Sequence, residues 1–319
     1  HSIRRRQRQM CIRDRDGFAG TNLNVGSAAA AAVAGGGIET LSLVASGETS
    51  SIASLGSGAT TINVDADAQL TVSAFTATGI TALNAGESSA TVSFNVGANI
   101  SANVFSYTGS AGIDTLIATT GFGGTDSIAG GDGADTFSIR PAAAAADVTV
   151  GALNASSAAV FSGFETLDMR SATGDGGAAT DFTVDMDHTP GVTAINMRTA
   201  DTDTKAVFTL NDLSAAQSGA LTMLHTGTDA DTDSEVIVDM KTDTAADTVT
   251  MTATTSTATQ VVEVNDANNN VENLVLTVNG DMNNTVDLDD ASFQTSIKIT
   301  GGGAARTMTI FGDLSLIHI

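Results

Sequence analysis

The chain has 319 residues, 13 of them basic against 36 acidic, a formal net charge of −23, one cysteine, no tryptophan and one tyrosine. A surface this acidic repels phosphate backbones and anionic lipid, which argues against nucleic-acid binding, and it favours divalent cations. A lone Cys11 builds no disulfide framework, and no apolar run approaches the ~18 residues of a helical membrane span.

The two ends do not read like the rest. Arg4, Arg5, Arg6, Arg8, Arg13 and Arg15 crowd the start, and residues 10–15 and 314–319 resemble translated sequencing-adapter read-through. Such ends are excluded from fold reasoning. Residues 1–16 and 313–319 are therefore set aside as artefactual termini, and the protein is read as an internal fragment. The alternative is a genuine basic arm.

Residues 17–108 form a β-rich repeat segment, with strands expected near 38–44, 60–64, 69–73, 79–83, 91–96 and 103–107. Val92, Phe94 and Val96 alternate with small polar residues, the period-two pattern of a strand with one buried face. Turn signals rich in Gly, Ser, Asn and Asp recur about every ten residues, a spacing that suits a solenoid or a sandwich.

Residues 109–138 contain one nine-residue pattern three times: 109–117, 121–129 and 130–138. It is the glycine-rich calcium nonapeptide, G-G-x-G-x-D-x-U-x, with U a large apolar residue. Glycines at the first, second and fourth places allow positive φ, and the aspartate at the sixth place adds a charged oxygen. Calcium collects roughly six to eight such hard oxygen ligands. The candidate metal residues are Gly109, Gly112, Asp114, Asp126, Gly130, Gly131, Asp132, Gly133 and Asp135. Leu116, Ile128 and Phe137 fall at the apolar eighth place and point to a core. The third copy fits every place, whereas Ser110 and Phe122 replace the second glycine in the other two. Two nonapeptides make one coil of a β-roll, so the first and third copies stack and share an ion. The insert 118–120 must lengthen a strand or bulge. Asp126 is the weakest candidate, having no partner repeat one coil away.

Residues 139–312 form a second β-rich repeat segment. Pro141 and the alanines after it mark a boundary with room for one helical turn. Strands are expected at 148–153, 164–169, 181–186, 192–197, 205–210, 220–225, 235–240, 247–252, 260–264, 271–278, 284–288, 295–300 and 306–311, and a single turn capped by Asn211 or Asp212 over 211–217. The acidic stretch 229–235 opens like an EF-hand, but Ser234 and Met240 stand where that loop needs Gly and Glu. Enzymatic motifs are missing: His188 and His225 make no zinc cluster or HExxH, and no G-x-S-x-G elbow occurs. The fold class is all-β, a parallel β-solenoid or β-roll of short strands with Gly/Asp turns, leaving room for a second β-rich domain.

With these repeats the chain resembles the repeats-in-toxin (RTX) calcium-binding group. In its Thr- and Asp-rich strands it is similar to bacterial surface-layer and adhesin-type proteins. A phrase recurs in that style, Glu39-Thr-Leu, Glu165-Thr-Leu and Glu272-Asn-Leu. The resemblance implies type I secretion to the cell surface, bound Ca2+ locking the roll, self-association or a cell-surface glycan as partner, and no catalysis. The alternative is the non-catalytic part of a secreted RTX protease or lipase.

Overall fold

The computed structural model describes residues 9–14, 19–25, 38–76, 79–97, 104–119, 126–141, 148–149, 160–171, 181–199, 205–225, 233–255, 261–268, 270–280, 284–287, 296–302, 308–311 and 317–318. Strand formation follows from the alternation. In Thr61–Ala66, Ile62, Val64 and Ala66 are buried while Thr61, Asn63 and Asp65 are not. Such a strand has one dry face and needs a partner on either edge. That partner is never the next strand in sequence. Every ladder among the described residues is parallel, and within each of the two compact units described below the strands alternate between two ladders, so each coil gives one strand to each. The protein is an all-β parallel solenoid. Parallel pairing excludes the sandwich alternative, which is built from antiparallel sheets.

The chain divides into two compact units. Unit 1 comprises 1–138 with 157–164. Its first ladder has seven strands: Gln9–Asp14, Thr40–Ala45, Thr61–Ala66, Ala82–Asn84, Ser106–Thr108, Ser127–Ala129 and Val160–Ser162. Its second runs Ala19–Val25, Ser50–Ser57, Leu70–Val72, Val92–Gly97, Thr115–Ala118 and Thr136–Ile139. Register places Leu41, Ile62, Leu83, Tyr107, Ile128 and Phe161 in one column, all buried. Each such side chain contributes about 1.5–3 kcal/mol by leaving water.

Unit 2 comprises 139–156 with 165–319. One ladder runs from Val148–Thr149 through Phe182–Asp185, Ala206–Leu213, Asp233–Met240, Val261–Asp266 and Asn284–Asp287 to Met308–Phe311. The other runs through Thr166–Arg170, Ala194–Thr199, Leu221–His225, Thr248–Thr255, Asn273–Gly280, Ser296–Gly302 and Ile317–His318. Met169, Met197 and Met223 form one inner column, and Phe182 stacks on Phe208 with centroids 5.2 Å apart.

Most expected strands are found within a few residues. Ser50–Ser57 was not expected, because its serines read as turn; only Ile52 and Leu55 are large and apolar, and both are buried. Gln9–Asp14, set aside above, pairs with Thr40–Ala45. The turn expected at 211–217 begins later. Asn211 to Leu213 end a strand through an irregularity at which Asp212 has φ 56°. Ser214 caps the turn instead: its N–H and hydroxyl both donate to Gln217 Oε1, half of a capping box. The alanines after Pro141 lie outside the described residues, as do residues 226–232, including the start of the acidic stretch.

Candidate functional site: a stack of glycine turns

The first and third nonapeptides stack. Asp114 and Asp135 are one coil apart at a separation of 21 residues, which is the nine-residue repeats plus 118–120. The ladder is irregular next to the insert, Ile117 pairing with Asn95 and Ala118 with Gly97, so that Val96 of the preceding coil is the unpaired extra residue; Thr120 lies outside the described residues. The second nonapeptide takes the opposite side of the coil, where Ser127–Ala129 joins the other ladder. Asp126 is therefore not grouped with the other two aspartates. Its Oδ1 accepts from Phe105 N–H at 2.7 Å, one coil back.

Glycine is required because backbone packs directly on backbone. A Cβ on Gly109 would lie 1.6 Å from Gly130 O, one on Gly131 2.1 Å from Ser110 O, and one on Gly133 2.3 Å from Gly112 O. Gly131 and Gly133 also have φ of 108° and 132°, open to few residues other than glycine. Gly112 packs against Thr91 N and Gly130 against Gly163 O. Asp132 is exposed at the tip of its turn.

Both stacked carboxylates are fully buried. Asp114 Oδ1 accepts from Val92 N–H at 2.9 Å and from the Ser110 hydroxyl at 2.7 Å, while Oδ2 accepts from Ser110 N–H. The Ser110 hydroxyl in turn accepts from Gly112 N–H. Asp135 Oδ1 accepts from Asp114 N–H at 2.7 Å. Each aspartate thus staples its own turn to the coil before it. Burial pushes the Asp114 carboxyl above its usual range, against the opposing pull of these hydrogen bonds. Ser110 is thereby more than a flawed glycine; its spacing four residues before Asp114 was the signal that it could bond back.

The same device recurs along the chain. Asp181 accepts from Val207 N–H, and Glu272 from Asp247 N–H, each in the neighbouring coil. Asp247 also accepts from Thr244 N–H and hydroxyl. The recurring Glu-Thr-Leu phrase marks strand starts. The carbonyls of Glu39 and Glu165 each accept two N–H groups of the next coil.

Tyr107 lies in the column beside this corner. Its hydroxyl is buried without a hydrogen-bond partner among the described residues. Its pKa is held well above the ordinary value by burial first, then by the charges of Asp114 and Asp135. An orphaned hydroxyl in a core costs about 1–3 kcal/mol. Tyr107→Phe is therefore expected to raise the melting temperature by a few degrees or leave it unchanged in chelator, read by differential scanning calorimetry; a marked drop would mean that the hydroxyl has a partner after all.

Tested against calcium, the donors fit in kind. They are hard oxygens only: two desolvated carboxylates, next to turn carbonyls such as those of Ser110 and Gly112, and an orphaned hydroxyl close by. A carboxylate offers about four lone-pair positions, of which the bonds above fill three on Asp114. No group of three or more His, Cys, Asp or Glu side chains converges among the described residues, so backbone carbonyls would supply much of the coordination. No protein-family model, curated protein or solved structure matches the chain.

Proposed function

We propose that this chain is a calcium-binding structural segment of a secreted bacterial surface-layer or adhesin-like protein, without catalytic activity of its own. The observation that carries the reading is the stacked pair of glycine turns with Asp114 and Asp135 buried one coil apart. Burying two carboxylates together is costly unless a cation or hydrogen bonds compensate, and the staples supply only the second. Calcium held by Asp114, Asp135 and the turn carbonyls would neutralise the corner and tie two coils together. Because protein donors already close the corner, the ion adds to a formed turn and does not create it. The rest of each unit consists of parallel coils with polar outer faces, suited to spacing or to assembly at a cell surface.

Isothermal titration tests this. Calcium is expected to bind with a Kd of about 10⁻⁴–10⁻³ M, the range of extracellular modules, and the Asp114→Asn/Asp135→Asn double variant is expected to lose that heat while keeping its β circular dichroism. Absence of calcium binding to the native chain at 10⁻² M would refute the reading. Export as part of a longer RTX protease or lipase is the second reading, favoured by the same nonapeptides.

A further inference from the structure

Unit 2 carries a second cluster that the calcium reading does not use. Three of the six lysines and arginines described beyond residue 38 meet at one carboxylate. Arg170 Nε donates to Asp168 Oδ2 and Arg198 Nε to Asp168 Oδ1, both at 2.9 Å, and Arg140 approaches to 3.9 Å. Asp168 is 4 % exposed, whereas the Arg170 and Arg198 side chains are 38 % and 41 % exposed. Arg170 and Arg198 are direct register partners on adjacent parallel strands. Like charges so placed are destabilising and need a reason.

We propose that Arg170 and Arg198, set side by side by Asp168, form a site for carboxylate groups of a second copy of this chain. Each guanidinium spends its Nε on Asp168 and, among the described residues, keeps its terminal N–H groups, arranged as the fork that carboxylates fit. Two cations share one anion, so the patch is locally positive on a chain of net charge −23. Burial and the two neighbouring arginines also hold the Arg140 pKa below its ordinary value, a sign of mutual repulsion.

The occupant is argued from charge. A second copy presents a surface dense in carboxylates, and its long-range repulsion is screened beyond about 10 Å at 0.1 M salt, while contact pairs persist. A basic patch meeting an acidic surface elsewhere on the next copy is a contact between unlike patches, which propagates and does not close at a dimer. The site is independent of calcium; it supplies a contact that assembly at a surface requires.

Sedimentation velocity over a concentration series, in 0.1 M NaCl with chelator, tests this without metal bridging. The native chain is expected to form species beyond a dimer, dissolved by 1 M NaCl. Asp168→Asn/Arg170→Gln/Arg198→Gln removes the patch without leaving a buried charge, and is expected to weaken association about tenfold or more, equivalent to about 1.4 kcal/mol. Lys298→Gln, which changes net charge equally, is expected to leave association within about twofold. If the triple variant does not fold, Arg170→Lys/Arg198→Lys decides: weakened association with native circular dichroism supports the site, and unaltered association overturns it. A native chain that stays monomeric at every concentration overturns the proposal. So does one that binds inorganic sulfate or alginate at this patch without associating.

Discussion

Gly130→Ala is expected to cost more than about 4 kcal/mol and to abolish the cooperative melting of unit 1. The new Cβ would sit 1.9 Å from Gly163 O and 2.7 Å from Gly163 C. Both obstacles are backbone, so no rotamer change relieves them. Adjacent parallel strands are fixed near 4.8 Å, and opening that gap breaks the bond from Gly130 N–H to Ser162 O, now 2.8 Å. Overpacking in ordinary cores costs about 1–3 kcal/mol, where side chains absorb some strain; here nothing can. Gly58→Ala is the matched control, because nothing lies within 4 Å of its added methyl group. It is expected to shift stability by less than about 0.5 kcal/mol. Chemical denaturation monitored by circular dichroism separates the two. Equal effects would mean that the glycine stack is not close-packed as described.

Asp114→Ala is the second large expected effect, about 3–5 kcal/mol. It strands Val92 N–H and Ser110 N–H in a buried corner and removes the acceptor of the Ser110 hydroxyl. Each buried orphan costs about 1–3 kcal/mol. Asp114→Asn keeps one acceptor oxygen and is expected to lose about half as much. A domain with about 5–15 kcal/mol of stability survives the second change more readily than the first. The order of the pair is the test: if Asn and Ala are equally mild, the carboxylate is not a staple. The Asn variant separates two roles, since a neutral amide retains part of the hydrogen bonding yet no longer offers charge to a cation.

Much of the architecture was legible because two periods coincide. Alternation in segments such as Val92–Gly97 marked the strands, and the nonapeptide marked where a coil must turn and which glycines must stack. The strand Ser50–Ser57 was not legible, since its ladder partners, and not its own serines, make it a strand. The grouping of Asp114 with Asp135 was legible from the stacking of alternate nonapeptides. The inward orientation of both carboxylates was not, because the pattern fixes an oxygen in a turn and not what that oxygen bonds. Ser110 reaches Asp114 from four residues away, but Val92 claims it through a packing relation 22 residues long, and no local motif announces that. The Asp168 cluster was likewise hidden. Arg140, Arg170 and Arg198 are about thirty residues apart and become neighbours only through coil stacking.

On the proposed reading, carboxylate staples form the turn stack and calcium reinforces it. Thermal melting of the native chain in chelator and in 10⁻² M calcium tests both halves at once. A ligand bound with a Kd near 10⁻³ M stabilises by about 1.4 kcal/mol at that concentration, which corresponds to roughly 3–6 °C for a unit of this size. The expected result is a cooperative, folded β transition in chelator that moves upward by that amount in calcium. An unfolded chain in chelator would contradict the staples, and a transition that calcium does not move would contradict the ion.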